Sequence, residues 1–281
     1  MNLRREKIGK IKTYYLSDKP GELSRVIIDY FWNKKKHPEA VFNLYHSKPK
    51  GDLFILQWQN VTYYIKYTRN RLWKHKVRNV FRPPSRYLKI SYRLSKIGIQ
   101  VAEPVLAFSF RKNLLTHEGV FVTKAVSGVP LSEYLRKEST NARDIQLIKE
   151  LGRLWGILYK NSFLHSDPGT DNFLIKIKDR AIGVYLVDMD GIYPLPVMVK
   201  SMFMNRFSKF SFCIYYELLK EKKQQLTSTE RVAFYREFLT YSGLKLSLKE
   251  LISIDKELFL ERVRDKKRRK GVSIPIPKWL N

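Results

Sequence analysis

"FLHSDPGTDNFLI", residues 163–175, sets His165, Asp167, Asp171 and Asn172 in one turn between two apolar runs. The stretch Pro168-Gly169-Thr170-Asp171-Asn172 is turn chemistry, and the apolar residues on both sides anchor it. His165, Asp167 and Asn172 stand as H-x-D-x-x-x-x-N, and sixteen residues after Asn172 comes "LVDMDG", which delivers Asp188 to the end of a hydrophobic strand. Phosphoryl transfer from a magnesium-bound nucleotide needs these groups: a carboxylate to orient an acceptor hydroxyl, oxygen ligands for the metal, and a cation on the phosphates. Magnesium is a hard ion that takes one or two carboxylates with phosphate oxygens and water, so Asn172 with Asp188 is a sensible pair. Lys66 in "VTYYIKY" lies on a strand of the β-rich half and is the candidate cation.

The surroundings of the loop give the fold class. Before it, Leu147, Leu151, Leu154, Trp155 and Leu158 follow the i, i+3, i+4, i+7 rule of a buried helix face over residues 142–161. After it, "FLIKI" and "VYLVD" read as strands, and long helical patterns run from about residue 197 to Val263. The basic-apolar stretch "VMVKSMFMNRFSKFSFC" (197–213) within that part reads as a buried helix rather than a membrane-surface one.

Upstream, residues 20–33 have helical periodicity, and residues 41–67 alternate bulky β-formers around a polar break at 46–52. Ser85 is a candidate N-cap for a helix to about Lys96 that Gly98 could end, and residues 104–126 read as a hairpin. Gly128 and Pro130 mark a connector. The expectation is an α+β protein of two lobes: residues 1–126, β-rich and nucleotide-binding with an N-terminal helix, and residues 127–281, helical and catalytic with a basic tail.

Composition bounds the partners. The chain carries 54 Lys and Arg against 26 Asp and Glu, a net charge of +28, which favours an anionic partner. The excess is concentrated between Arg69 and Lys96, where there is no acidic residue, and at Lys266-Lys267-Arg268-Arg269-Lys270. No apolar run approaches the ~20 residues that span a bilayer. The N-terminus lacks the apolar core of a secretory signal, and Cys213 is the single cysteine, so a reducing cytoplasm is expected.

On the loop, the strand ending in Asp188 and the strand lysine, the chain resembles the protein-kinase-like superfamily over roughly residues 40–190. By position the resemblance implies that Asp167 is the catalytic base, Asn172 the second metal ligand, Asp188 the other metal ligand and Lys66 the phosphate-binding lysine, with ATP and Mg2+ as cofactors. Ser166 replaces the usual arginine, Gly169 stands where protein kinases keep a lysine, and Gly51 is the single glycine of "HSKPKGD". Residues 67–102 contain no Glu or Asp.

These departures narrow the likeness. "HSDP", "DNF" and "VDMDG", with "FRPPSRYLKISYRLSKIGIQVAEPVLAF" (81–108) before them, look like the bacterial lipopolysaccharide core kinases, which phosphorylate heptose or 3-deoxy-D-manno-octulosonic acid. The matching positions are Arg82, Ser85, Arg86, Gly98, Ile99 and Pro104. That family implies an ATP-dependent sugar kinase acting on the lipopolysaccharide core, or another anionic glycan, at the inner face of the cytoplasmic membrane. The anionic membrane surface would be a second partner, and no nucleic acid is expected. Two alternatives stay open: a small-molecule phosphotransferase of the aminoglycoside or choline type, and a basic pseudokinase scaffold.

Overall fold

The computed structural model describes residues 3–16, 20–48, 51–68, 83–111, 117–137, 142–179, 181–221, 225–271 and 273–277. Arg82, most of the basic stretch that opens at Arg69, and the side chain of Lys270 lie outside the described residues. The chain divides into two compact units, residues 1–95 with 101–126, and residues 96–100 with 127–281.

The first unit is built on seven antiparallel strands in the order β1-β2-β6-β7-β5-β4-β3. They are β1 (Arg4–Ile8), β2 (Ile11–Tyr15), β3 (Val41–Lys48), β4 (Gly51–Trp58), β5 (Val61–Thr68), β6 (Pro104–Arg111) and β7 (His117–Lys124). Strand alternation decides the faces. On β5, Tyr63, Ile65 and Tyr67 are buried on one side, and Thr62, Tyr64 and Lys66 are half-buried on the other. The β4–β5 turn is Gln59-Asn60, with φ of 47° and 58°, the left-handed pair that suits a two-residue hairpin. Gly51 has φ of 154°, and a Cβ there would overlap the Tyr67 carbonyl, so glycine is required where β4 enters the sheet.

The Tyr63 face is covered by α1 (Gly21–Ile28) and its π-helical continuation, Asp29–Asn33. Leu23, Val26, Ile27 and Phe31 join Phe54, Leu56, Ile65, Leu106 and Val122 in one core. Phe31 meets the Phe54 ring at 5.2 Å and Tyr67 at 4.6 Å. The opposite face carries α2 (Ser85–Lys96), whose Tyr87 ring lies 5.5 Å from Phe121. A Cβ at Gly119 would overlap the Pro84 ring, so β7 is open there to the start of α2. Ser85, expected as a cap, is already helical. The carbonyls of Pro83 and Pro84 accept from the N–H groups of Arg86 and Tyr87, each at 2.9 Å, which closes the turn one residue early. The hairpin β1–β2 in the basic N-terminal stretch was not anticipated.

The second unit is mainly helical: α3 (Leu131–Lys137), α4 (Ala142–Lys160), α5 (Lys200–Lys220), α6 (Ser228–Ser242) and α7 (Leu248–Lys270). Its strands are β8 (Val129–Pro130), β10 (Phe173–Lys178) and β11 (Ala181–Leu186) in one sheet, with β9 (Phe163–His165) paired to β12 (Ile192–Pro194). Gly152 and Gly156 let α4 lie against α6: a Cβ at Gly152 would overlap the Phe234 carbonyl, and one at Gly156 would lie 2.7 Å from Tyr241 Cβ. As expected, residues 200–213 are part of a buried helix, because α5 sinks Phe203, Met204, Phe207, Phe210, Ile214 and Leu218 at helical spacing. Capping boxes Thr227/Glu230 and Ser247/Glu250 start α6 and α7, and Gly271 at φ of 65° ends α7 at Lys270, beyond the expected Val263. The architecture is α+β, a β-rich N-terminal part followed by a helical C-terminal part. Among the described residues no helix is long and apolar enough to cross a membrane.

Two outcomes follow from this packing. Gly152→Ala should destabilise by about 1–3 kcal/mol through overpacking at a backbone carbonyl, read by chemical denaturation. The second concerns the buried Asp29, which accepts from Asn33 Nδ2 at 2.7 Å and contacts His37 Nε2 at 2.9 Å. Those bonds, Asn33's first, hold its carboxyl below the ordinary aspartate value of 3.8, and Asp29 in turn raises His37 above the ordinary 6.5. The His37 contribution is complete below pH 6.5 and fades as pH rises through the raised folded value; that of Asp29 fades only as pH falls below 3.8. The stability gap between wild type and His37→Ala should therefore be wider at about pH 5 than at about pH 9.

Candidate active site

The loop hangs from β9. After α4, Ser162 turns the chain at φ of 55°, and its carbonyl accepts the Leu195 N–H at 2.8 Å. β9 then pairs with β12, setting His165 opposite Ile192. His165 is fully buried, stacked over Trp155 at 6.2 Å and 5.6 Å from Phe173. Burial drives its pKa down to about 4, against the upward pull of Asp188 and then Asp167, so the imidazole is neutral. Neither ring nitrogen has a hydrogen-bond partner among the described residues. His165 is thus an aromatic support, separated from solvent.

Beyond it the backbone folds tightly. Ser166 N–H donates to the Gly191 carbonyl at 2.8 Å, and Gly191 lies against the His165 ring, where an added Cβ would stand 3.4 Å from the imidazole. The second segment thus passes beside the imidazole at Gly191. The Asp167 carbonyl accepts from Gly169 N–H at 2.8 Å and from Asn172 Nδ2 at 2.7 Å. With its amide nitrogen committed in this way, Asn172 offers its side-chain oxygen. The carboxylate of Asp167 is 70% exposed, and Lys209 Nζ of α5 donates to its Oδ1 at 2.7 Å.

Asp188 follows β11 and accepts the Asp190 N–H at 3.1 Å, capping the short 3-10 turn Met189–Gly191. One residue earlier, Val187 N–H donates to the Asn172 carbonyl at 3.1 Å, which ties the Asp188 segment to the loop. Asp171 accepts a short hydrogen bond from the buried Ser132 hydroxyl of α3, so it anchors the loop. Asp167, Asn172 and Asp188 are thereby gathered along one hydrogen-bonded stretch of the second unit. Lys66 belongs to the first unit, in the middle of its sheet between β4 and β7, on the face that receives α2. Asn172 offers an amide oxygen and Asp188 a carboxylate, donor types that fit a hard cation and not a soft one. Sequence reasoning missed Lys209, whose separation of 42 residues from Asp167 carries no local signal. It also missed Gly191 and Ser132.

A β-rich unit followed by a helical unit that carries such a loop is the architecture of a two-lobed, protein-kinase-like protein. The solved structure of WaaP in complex with acyl carrier protein shares this fold, with a TM-score of 0.57 over 86% of this chain and 95% of that chain, at 15% sequence identity. No protein-family model matches the chain, and no curated protein matches it in sequence.

The buried imidazole has a pH signature opposite to that of His37. The unfolded histidine binds a proton near 6.5 and the folded one only near 4, so stability is lost as pH falls across that window. The loss should reach about 3 kcal/mol in wild type and be absent from the pH profile of His165→Gln, measured by urea denaturation.

Proposed function

We propose that the chain transfers the γ-phosphoryl group of ATP to an alcohol, and that this alcohol is a sugar hydroxyl of the lipopolysaccharide core. The observation that carries the reading is the single hydrogen-bonded stretch holding the exposed Asp167, the Asn172 amide and Asp188 together. A sugar hydroxyl is too weak an acid to ionise at neutral pH, but a loose transition state asks little early activation of it. Asp167 orients the hydroxyl and accepts its proton late. Asn172 Oδ1 and Asp188 are the residues that would hold magnesium, which when bound draws charge off the phosphate oxygens. Lys66 is assigned on sequence position to the α- and β-phosphates. Orientation of this kind contributes about 7–11 kcal/mol of barrier reduction in favourable cases.

The choice of acceptor rests on the sequence likeness to lipopolysaccharide core kinases and on the charge. The N-terminal unit is assigned to the nucleotide and the C-terminal unit to catalysis. Arg86, Lys89 and Arg93 recur at three- and four-residue spacing along α2, and Lys267, Arg268 and Arg269 crowd the end of α7. Such cations suit a phosphorylated glycan and the anionic inner face of the cytoplasmic membrane, at roughly 1 kcal/mol each near a lipid surface. An acyl carrier protein, the partner in the WaaP structure, is a further candidate for this chain.

The test is transfer of labelled γ-phosphate from Mg-ATP to purified, dephosphorylated lipopolysaccharide core. Label is expected on the glycan, with a drop of about 10²–10⁴-fold in Asp167→Asn and a comparable loss in Asp188→Asn. Magnesium-dependent ATP binding without label would move the acceptor to a small molecule of the aminoglycoside or choline type. Neither label nor nucleotide binding would sink the enzyme reading in favour of a basic scaffold.

A further inference from the structure

The charge written into the two segments of the site is one-sided. Asp167, Asp171, Asp188 and Asp190 contribute four carboxylates, and residues 163–175 and 181–191 contain no Lys or Arg. A phosphoryl group arriving there brings more negative charge. A cation that touches Asp167 comes from outside these segments: Lys209 of α5, with Nζ 2.7 Å from Oδ1.

We infer that Lys209 is a catalytic residue whose ammonium, aligned by Asp167, contacts the phosphoryl group in transit and offsets its charge. This rests on the kinase reading above. In the step, the acceptor O–H bond breaks and its proton passes to Asp167 as the new O–P bond forms. The bond from the γ-phosphorus to the β,γ-bridging oxygen breaks, and ADP leaves with that electron pair. Lys209 keeps its proton throughout. An ammonium carries three donors, so the bond to Asp167 leaves two to direct at phosphoryl oxygens. A carboxylate accepts about four hydrogen bonds, so Asp167 can serve the hydroxyl while it holds the lysine.

The bland alternative is a surface ion pair, worth about 0–1 kcal/mol and without a role in the reaction. The setting of Lys209 argues against it. Its side chain is only 31% exposed, and the residues on either side are fixed in the core. Ser208 is fully buried, and the Phe210 ring lies 4.8 Å from Phe173 and 5.3 Å from Trp155, the rings beneath the loop. The helix is thus keyed to the same aromatic group that supports Asp167, so the ammonium is presented from a rigid element. Gly169 offers an internal check. Its backbone is ordinary, with φ of −71° and ψ of 149°, and an added Cβ would meet only Asn172 Nδ2, at 3.9 Å. A lysine at that position is therefore tolerable, two residues from Asp167, and can replace the missing charge.

The experiment compares wild type, Lys209→Met, Lys209→Arg, Gly169→Lys combined with Lys209→Met, and Asp167→Asn. Each is assayed for phosphoryl transfer from Mg-ATP to dephosphorylated lipopolysaccharide core and to water. Affinity for a non-hydrolysable ATP analogue with magnesium is measured by calorimetry, and folding by thermal melts. Lys209→Met should lose about 10²–10³-fold in kcat while analogue affinity stays within about threefold. Lys209→Arg and the Gly169→Lys double variant should each regain about tenfold. A folded Lys209→Met with wild-type or higher turnover would overturn the inference and leave the kinase reading intact, the lysine then being a tie or a latch. Full activity in Asp167→Asn, or no phosphoryl transfer by wild type to either acceptor, would overturn both.

Discussion

Two short strands, Phe163–His165 and Ile192–Pro194, cross an imidazole that never meets water, and the segments on either side take their positions from that crossing. A buried imidazole whose nitrogens find no partner among the described residues is costly, on the order of a few kcal/mol. The offset comes from the rings around it. Trp155, Phe203, Phe207, Phe210 and Phe173 form a continuous aromatic group at centroid spacings of 4.8–5.8 Å, with His165 at its edge. Aromatic pairs of this kind contribute about 0.5–1.5 kcal/mol each beyond burial. Because the group spans α4, β9, β10 and α5, it sets the loop, the strand after it and the helix bearing Lys209 in one frame. The Asp167 carboxylate can then stay exposed without being loose: its backbone is held by Gly169 and Asn172, and its side chain by α5.

Polar contacts of α5 extend this frame toward the C-terminus. Arg262 of α7 donates to Asn205 Oδ1 at 2.8 Å and, in a shorter bond, to the Asn205 carbonyl. The Tyr215 hydroxyl donates to the Pro275 carbonyl at 2.6 Å. Between α6 and α7, Asp255 is fully buried and accepts the Tyr235 hydroxyl at 2.6 Å. Burial raises the Asp255 pKa, and the hydrogen bond from the Tyr235 hydroxyl opposes the rise. The last helices of the chain therefore fix the register of the helix that meets Asp167, although they lie far from the loop in sequence.

How much of this was legible in the chain depends on the range of the interaction. The alternation on β4 and β5, the helical stripe Leu147-Leu151-Leu154-Leu158 and the turn chemistry of residues 166–172 are local patterns, and the structure contains the elements they imply. The strand that presents Asp188 and the turn that presents Asp167 belong to this class. The hairpin β1–β2 was hidden because its strands are short and basic, and only Ile11, Thr13 and Tyr15 on one face of β2 are buried. The last turns of α7 are polar, so no apolar period marks them, and the left-handed Gly271 is the signal that stops the helix. Gly191 reads as a turn residue in sequence, and that it lies beside a ring belonging to another strand appears only in the fold.

Lys209 lies at the far end of that scale. In "MNRFSKFSFC" it is one more cation on an apolar helix, in a chain with 54 of them. Its meaning appears only when α5 is laid beside the loop, because the ion pair joins residues whose separation no helical or strand period relates. A lysine inside the loop would have been visible in the sequence. Placing the charge on a helix pinned by Phe207 and Phe210 costs sequence legibility and supplies positional precision, and electrostatic stabilisation of a developing charge depends on that precision because a preorganised cation needs no rearrangement as the charge appears. The surplus of +28 in the chain as a whole acts differently: it raises the local concentration of anions at long range and is screened by salt, whereas a partly buried cation 2.7 Å from Asp167 acts at contact distance and is screened far less.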